Sequence, residues 1–265
     1  MTKTPPQDAT RSPVSKPAKS PKSEKTPIFR LLAALAVPPM QAIAKFDIQG
    51  RENVPTTGAF VLAPNHFSNI DPLVVGVAMY KVGRMPRYLA KESLFRVPVL
   101  GALMRASGQV PVQRSGHSRS NDPLAGAGQI VKNGLAVVIY PEGSLTRDPN
   151  LWPMRGKFGA VRTALEQNIP LIPVAHWGSQ RILPQYSKRI SLFPRKKVIV
   201  RFGPAVDLSE FRGKPIDTAV LVKATNLLLD DITAMLEDIR GEEAPAKRWD
   251  PAEHNQSEIG RIEPS

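Results

Sequence analysis

The chain has 265 residues, 42% of them hydrophobic, which suits one α/β domain with a sizeable buried core and leaves little room for two. With 36 Lys and Arg against 23 Asp and Glu the formal charge is +13, so anionic partners are favoured. Cysteine is absent, which excludes disulfides, thiolate metal sites and any mechanism that parks an acyl group on a protein thiol.

Residues 1–27 read as a disordered basic arm, because Pro, Ser, Thr and Lys dominate and bulky apolar side chains are nearly missing. Residues 28–44 (IFRLLAALAVPPMQAIA) are apolar but carry Arg30 and are interrupted by Pro38 and Pro39. The run falls short of the roughly 20 unbroken apolar residues of a spanning helix. Ile28, Leu31, Leu32 and Leu35 recur at helical spacing, so the expectation is an amphipathic helix of about ten residues, docked on a membrane or on the domain. A cleaved leader fits less well, since the region before the apolar run is long and proline-rich. Residues 45–240 form the expected folded domain, and 241–265, with six acidic and three basic residues, an acidic disordered tail.

Within the domain, strands are expected at 59–63, 87–90, 136–140, 171–175 and 198–202, with helices at 72–80, 121–132, 156–167 and 217–240. This alternation points to an α/β fold, a mostly parallel sheet flanked by helices. In such sheets ligands bind beyond the carboxyl ends of the strands.

Four segments carry chemistry. After the first of these strands comes Asn65-His66-Phe67-Ser68-Asn69-Ile70-Asp71-Pro72. Either Asp71 caps the helix that follows and His66 is an ordinary loop residue, or the loop folds the carboxylate onto one imidazole nitrogen and leaves the other as a base. The second is Gly108-Gln-Val-Pro-Val-Gln-Arg114, an extended piece delivering a guanidinium whose fork suits phosphate. The third is Tyr140-Pro141-Glu142-Gly143-Ser144, a turn at a strand's carboxyl end. The fourth, Arg155-Gly156-Lys157, places two cations at a helix start, where an anion could bind.

In order and spacing, Asn65-His66-x4-Asp71, Gly108-x-Val-Pro-Val-x-Arg114, Tyr140-Pro-Glu-Gly-Ser144 and Ile172-Pro173-Val174 resemble the 1-acylglycerol-3-phosphate acyltransferase, or lysophosphatidic acid acyltransferase, family. The stretch from Thr146 to Lys157 is similar to actinobacterial members. The resemblance implies the glycerolipid acyltransferase fold, with His66 as general base, Asp71 orienting it, and Arg114, Glu142, Gly143 and Ser144 at the acceptor's phosphate. Arg155 and Lys157 are further expected phosphate ligands, and Glu142 is expected to orient a cation such as Arg114 or Lys157. Ser144 stands where the family commonly has threonine, and the next arginine arrives two places late, at Arg147.

The implied reaction moves a fatty acyl group from acyl-CoA or an acyl carrier protein thioester to the sn-2 hydroxyl of lysophosphatidate, with no cofactor and no metal. The implied partners are a lysophospholipid acceptor, the thioester donor and an anionic membrane surface. The implied location is peripheral, on the cytoplasmic face of the plasma membrane. Another lysophospholipid or polar-lipid acceptor, or a non-catalytic peripheral lipid-binding protein, is the alternative. Aromatics at 6%, with no interleaved aromatic and basic stripe, argue against nucleic acid, and nothing in the sequence speaks to oligomeric state. A serine-hydrolase reading fails on Gly116-His117-Ser118-Arg119-Ser120, which lacks the final glycine of a nucleophile elbow.

Overall fold

The computed structural model describes residues 24–112 and 123–257. Among them seven strands form one sheet: β1 (Ala44–Gln49), β2 (Phe60–Pro64), β3 (Arg87–Lys91), β4 (Val110–Val112), β5 (Ala136–Val138), β6 (Leu171–Trp177) and β7 (Lys196–Phe202), in the order β1-β7-β6-β2-β5-β3-β4. Every neighbouring pair is parallel except β6 with β7. The expected parallel α/β sheet is therefore present, with an antiparallel step next to the centre.

Alternation along β2 sorts the two hydrophobic layers. Phe60 and Leu62 face a layer built by α1 (Pro27–Ile43) and α2 (Asp71–Lys81), through Met40, Val74 and Val75. Val61 and Ala63 face the opposite layer, where Ala127, Val161 and Leu228 come from α5 (Pro123–Lys132), α6 (Gly159–Glu166) and α7 (Thr218–Arg240). The short α3 (Glu92–Phe95) and α4 (Leu100–Ala106) connect β3 to β4. Helix α7 starts where Asp217 accepts a 2.8 Å bond from the Val220 amide and ends at Gly241, whose φ of +67° suits glycine.

Three expectations need correction. Helix α1 runs through Pro38 and Pro39 for 17 residues instead of stopping after about ten. Both prolines lie on its exposed side with Ala34 and Leu35, so the carbonyls that lose a helical N–H partner are not sealed in the core. Second, the end of the basic arm is tied down: Glu24 accepts from Arg84 Nε and the Met85 amide, both at 2.9 Å. Third, residues 241–257 of the expected disordered tail fold back over the domain. The Arg155 amide donates to Trp249 O at 2.9 Å, Trp249 stacks on His254, Pro251 is buried, and Arg147 Nε donates to Ser257 O at 3.0 Å. One tryptophan and one buried proline offset what the acidic composition suggested.

Candidate active site

The three central strands β6, β2 and β5 converge on one place at their carboxyl ends. His66 sits two residues past β2, and Asp71 opens α2. The five-residue separation closes a loop on itself: Asp71 Oδ2 lies 3.0 Å from His66 Nδ1 and accepts the amides of Phe67 and Ser68, each at 2.8 Å. Asp71 is thus both the organiser of the loop and the partner of the imidazole. With a carboxylate on Nδ1, that nitrogen carries the proton and Nε2 presents its lone pair. His66 keeps 9% of its surface exposed, while Asp71 has none.

Burial alone would push the Asp71 carboxyl up. The imidazoles of His176 and His66 and the Ser179 hydroxyl outweigh it and hold the group below the ordinary carboxylate range. Ser179 Oγ donates to Asp71 Oδ1 at 2.6 Å. It follows Gly178, where φ is +109° and an added Cβ would fall 2.2 Å from Lys197 O, so only glycine makes this turn. His176, in β6, exchanges hydrogen bonds with Asn65: its amide donates to Asn65 Oδ1 at 2.9 Å and its Nε2 to Asn65 O at 2.8 Å. Burial pushes the His176 imidazole down, against the Asp71 carboxylate and the Asn65 carbonyl, which pull it up. Tyr140 stacks on the His66 ring, with centroids 4.1 Å apart, and limits its rotation.

Glu142 has a different position from the expected one. It is fully buried, and its two oxygens accept the amides of His66 (2.9 Å) and Met154 (3.1 Å), tying the histidine loop to the segment after the Pro-Glu-Gly turn. Burial pushes its carboxyl up to about 8, against those two hydrogen bonds. A side chain committed to two backbone amides is a strut, which also removes the puzzle of a carboxylate facing a phosphate. Thr146 N closes the same loop on His66 O at 2.7 Å.

Gly143 has φ +71°, and a Cβ there would lie 2.9 Å from Lys157 Cδ, so the lysine stem packs directly on the turn. The Lys157 amide donates to Pro141 O at 2.6 Å, which brings the expected third and fourth segments together. Ser144 is buried, with its hydroxyl on Leu145 O at 3.3 Å. Arg155 Nε lies 3.5 Å from Asp250 of the carboxyl-terminal segment, and Arg155 lines one small hollow with Glu142, Gly156 and Lys157. Arg147 is buried against Tyr186, to whose hydroxyl it donates. Arg114 and the Gly116–Ser120 stretch lie outside the described residues; β4 ends at Val112, two positions before Arg114.

An apolar groove begins at Pro72, one residue after Asp71. It opens between α1 and α2, encloses about 180 Å³ and is lined by Phe29, Leu32, Leu73, Gly76 and Tyr88 among others. Pro72, which directly follows Asp71, also lines it and accepts a 2.7 Å bond from the Tyr88 hydroxyl. No described helix is long and apolar enough to cross a membrane.

The acyltransferase family model matches residues 45–177, half of the chain. A chloroplastic 1-acyl-sn-glycerol-3-phosphate acyltransferase of Brassica napus is 30% identical over 201 residues, 74% of this chain and 56% of the relative. One of Arabidopsis thaliana is 27% identical over 65% of this chain and 46% of its own length, so the chain spans about half the length of these plant relatives. The 1-acyl-sn-glycerol-3-phosphate acyltransferase of Bacillus subtilis is 27% identical over 72% of this chain and 90% of its own. The crystal structure of the 1-acyl-sn-glycerophosphate acyltransferase from Thermotoga maritima superposes with a TM-score of 0.62 at 21% identity, covering 82% of this chain and 81% of that one, which establishes the shared fold. With a histidine and aspartate joined at the carboxyl ends of its central strands and a family match spanning them, the chain belongs to the acyltransferase family.

Proposed function

We propose that this protein transfers a fatty acyl group from an acyl thioester to the sn-2 hydroxyl of lysophosphatidate, yielding phosphatidate for phospholipid synthesis. The observation that carries the reading is the His66–Asp71 dyad, a base that is hydrogen-bonded to no protein hydroxyl among the described residues. Ser68, the nearest hydroxyl in sequence, donates instead to Leu183 O at 2.6 Å. A base without a nucleophile activates a hydroxyl that arrives with the substrate. The similarity to 1-acyl-sn-glycerol-3-phosphate acyltransferases supplies the acceptor class.

In this reading His66 Nε2 takes the proton of the acceptor hydroxyl while its oxygen bonds to the thioester carbonyl carbon. The carbon–sulfur bond then breaks, and the imidazolium, stabilised by Asp71, returns the proton to the departing thiolate. Coenzyme A or an acyl carrier protein brings the acyl group, and the apolar groove beside Pro72 takes its chain. Lys157, on the Gly143 turn, and Arg114 hold the acceptor's phosphate and align its hydroxyl. Residues 45–240 form the catalytic unit. Residues 28–44 seat it on the cytoplasmic membrane surface, where thioester donors meet lipid acceptors.

The test is to incubate purified protein with vesicles containing lysophosphatidate and a long-chain acyl-coenzyme A, following thiol release and lipid product together. Equal thiol and phosphatidate, both lost in His66→Ala with folding retained, are expected. Thiol without phosphatidate would replace the reading with thioester hydrolysis or a different acceptor.

A further inference from the structure

The end of the connection from β6 to β7 and the first two residues of β7 make up residues 187–197, Ser-Lys-Arg-Ile-Ser-Leu-Phe-Pro-Arg-Lys-Lys. Five of these eleven are cationic and none is acidic. Between the two groups of cations, Ile190, Leu192 and Phe193 stand in solvent, with Phe193 73% exposed. The loop is nonetheless built. The Ser191 amide donates to Ile182 O at 2.8 Å, Lys196 Nζ to Ser191 Oγ at 2.7 Å, and Arg195 Nη2 to Gln41 O at 2.7 Å and Ala44 O at 3.2 Å. These bonds hold the apolar tips away from a core they could otherwise join.

Arg195 also ties the loop to the carboxyl end of α1. On that helix Leu31 (49% exposed) and Leu35 (60%), followed by the exposed Pro39 and Ala42, make one outward stripe that runs toward the loop. An open hollow beside the loop is lined by Lys45, Phe46, Asp47, Arg195 and Lys197; Asp47 is its single acidic member, 3.7 Å from Lys197.

We infer that residues 187–197 are a second membrane-contacting element, which together with the outer stripe of α1 seats the domain on an anionic phospholipid surface. The order of residues supports this occupant. Apolar tips flanked on both sides by Lys and Arg match an interface in which side chains pass below the phosphate level while ammonium and guanidinium groups stay at it. The inference rests on the acyltransferase reading for its purpose, since the acceptor of that reaction lies in a membrane, but its observations and its test do not depend on catalysis.

Flotation with phosphatidylcholine vesicles, with and without phosphatidylglycerol and free of substrate, measures the contact. The full chain should float with the anionic vesicles. The variant I190S/L192S/F193S should lose about tenfold or more in partition, and K188E/R189E should lose the dependence on phosphatidylglycerol. The single variant F193W, which leaves the loop's bonds in place, should be quenched by brominated lipid. Undiminished flotation of the triple variant, or an unquenched indole in F193W on bound vesicles, would overturn the inference. So would lost binding to an acidic carrier protein, or a lost dimer in gel filtration, with vesicle binding intact. Transfer to a short-chain lysophosphatidate kept below its micelle concentration separates the two readings. The triple variant should retain it within about twofold, and its absence in the unaltered protein alongside intact vesicle binding would remove the enzymatic reading alone.

Discussion

Ser179 Oγ donates a 2.6 Å hydrogen bond to Asp71 Oδ1, joining the end of β6 to the start of α2 across 108 residues of chain. The opposite oxygen faces His66, so the hydroxyl acts on the base only through the carboxylate. Ser179→Ala should lower kcat about tenfold, the worth of one hydrogen bond to a charged group, and leave both KM values unchanged. Steady-state kinetics with both substrates varied decides it; an unchanged kcat would remove Ser179 from the positioning network.

Substitutions of Asp71 should divide folding from catalysis. In D71N the amide oxygen can keep the three bonds at Oδ2, while the nitrogen meets a Ser179 oxygen able to accept. The variant should therefore fold and lose roughly a hundred- to a thousandfold in kcat, because only the charge facing the imidazolium is gone. D71A strands the buried Phe67 and Ser68 amides and should in addition lose about 1–3 kcal/mol for each. Urea midpoints and kcat measured side by side test the division; similar midpoints for D71N and D71A would contradict it.

The two buried carboxylates should give stability opposite pH dependences. Glu142 titrates at about 8 in the fold against an ordinary 4.5, so between those values the native state keeps a proton that the unfolded chain has lost. Its contribution is complete below pH 4.5 and fades as pH rises toward 8, by about 1.4 kcal/mol per pH unit. Asp71, held below its ordinary 3.8, contributes above that value and loses its contribution as pH falls through its folded value. Denaturant unfolding from pH 5 to 8 should show a decline that is flatter in Glu142→Gln; equal slopes in the two proteins would show that Glu142 keeps its charge.

Gly143→Ala should act through the turn and through Lys157. A side chain at φ +71° costs about 1–2 kcal/mol, and the new methyl must displace the lysine stem 2.9 Å away. The expected result is a modest loss of stability with a raised acceptor KM and an unchanged donor KM. A raised donor KM would move Lys157 to the thioester.

Local spacing left the dyad as one of two readings, legible at all because His66 and Asp71 close a single short loop of six consecutive residues, and the resemblance of four ordered blocks selected it. The strands at 59–63 and 171–175 were legible for the same reason, being short apolar runs beside Gly and Pro signals. What was not legible depends on distant partners. Ser179 and His176 belong to no block of sequence, and only the adjacency of β6 to β2 brings them to Asp71 and Asn65. The two amides that Glu142 satisfies, of His66 and Met154, were not legible because backbone partners carry no sequence signature. Strand β1 was missed because Ala-Lys-Phe-Asp-Ile-Gln follows directly on α1 and alternates without a turn between them. Arg155 read as a phosphate ligand from its place beside Lys157 at a helix start; its approach to Asp250 depends on residues 241–257 folding back, which no local pattern announces.

The proposed seat of the acyl chain, the groove between α1 and α2, makes chain length a property of particular side chains. Gly76 lies on α2 facing the groove, where an added Cβ would meet the Tyr88 hydroxyl at 3.4 Å, an ordinary contact. The backbone at this helical position accepts a larger residue without strain, and leucine has the higher helix propensity, so Gly76→Leu should fold at least as well as the parent. Its side chain would occupy space between Leu32 and Leu73 that an acyl chain needs. The variant should therefore keep kcat/KM with short acyl-coenzyme A donors and lose about tenfold or more with long ones, because each excluded methylene forfeits its burial in the pocket. A series of donors of increasing length, assayed with one acceptor, provides the measurement. A uniform loss at every length would place the chain elsewhere, whereas a loss confined to long chains would fix the groove as the part of the site that sets chain length.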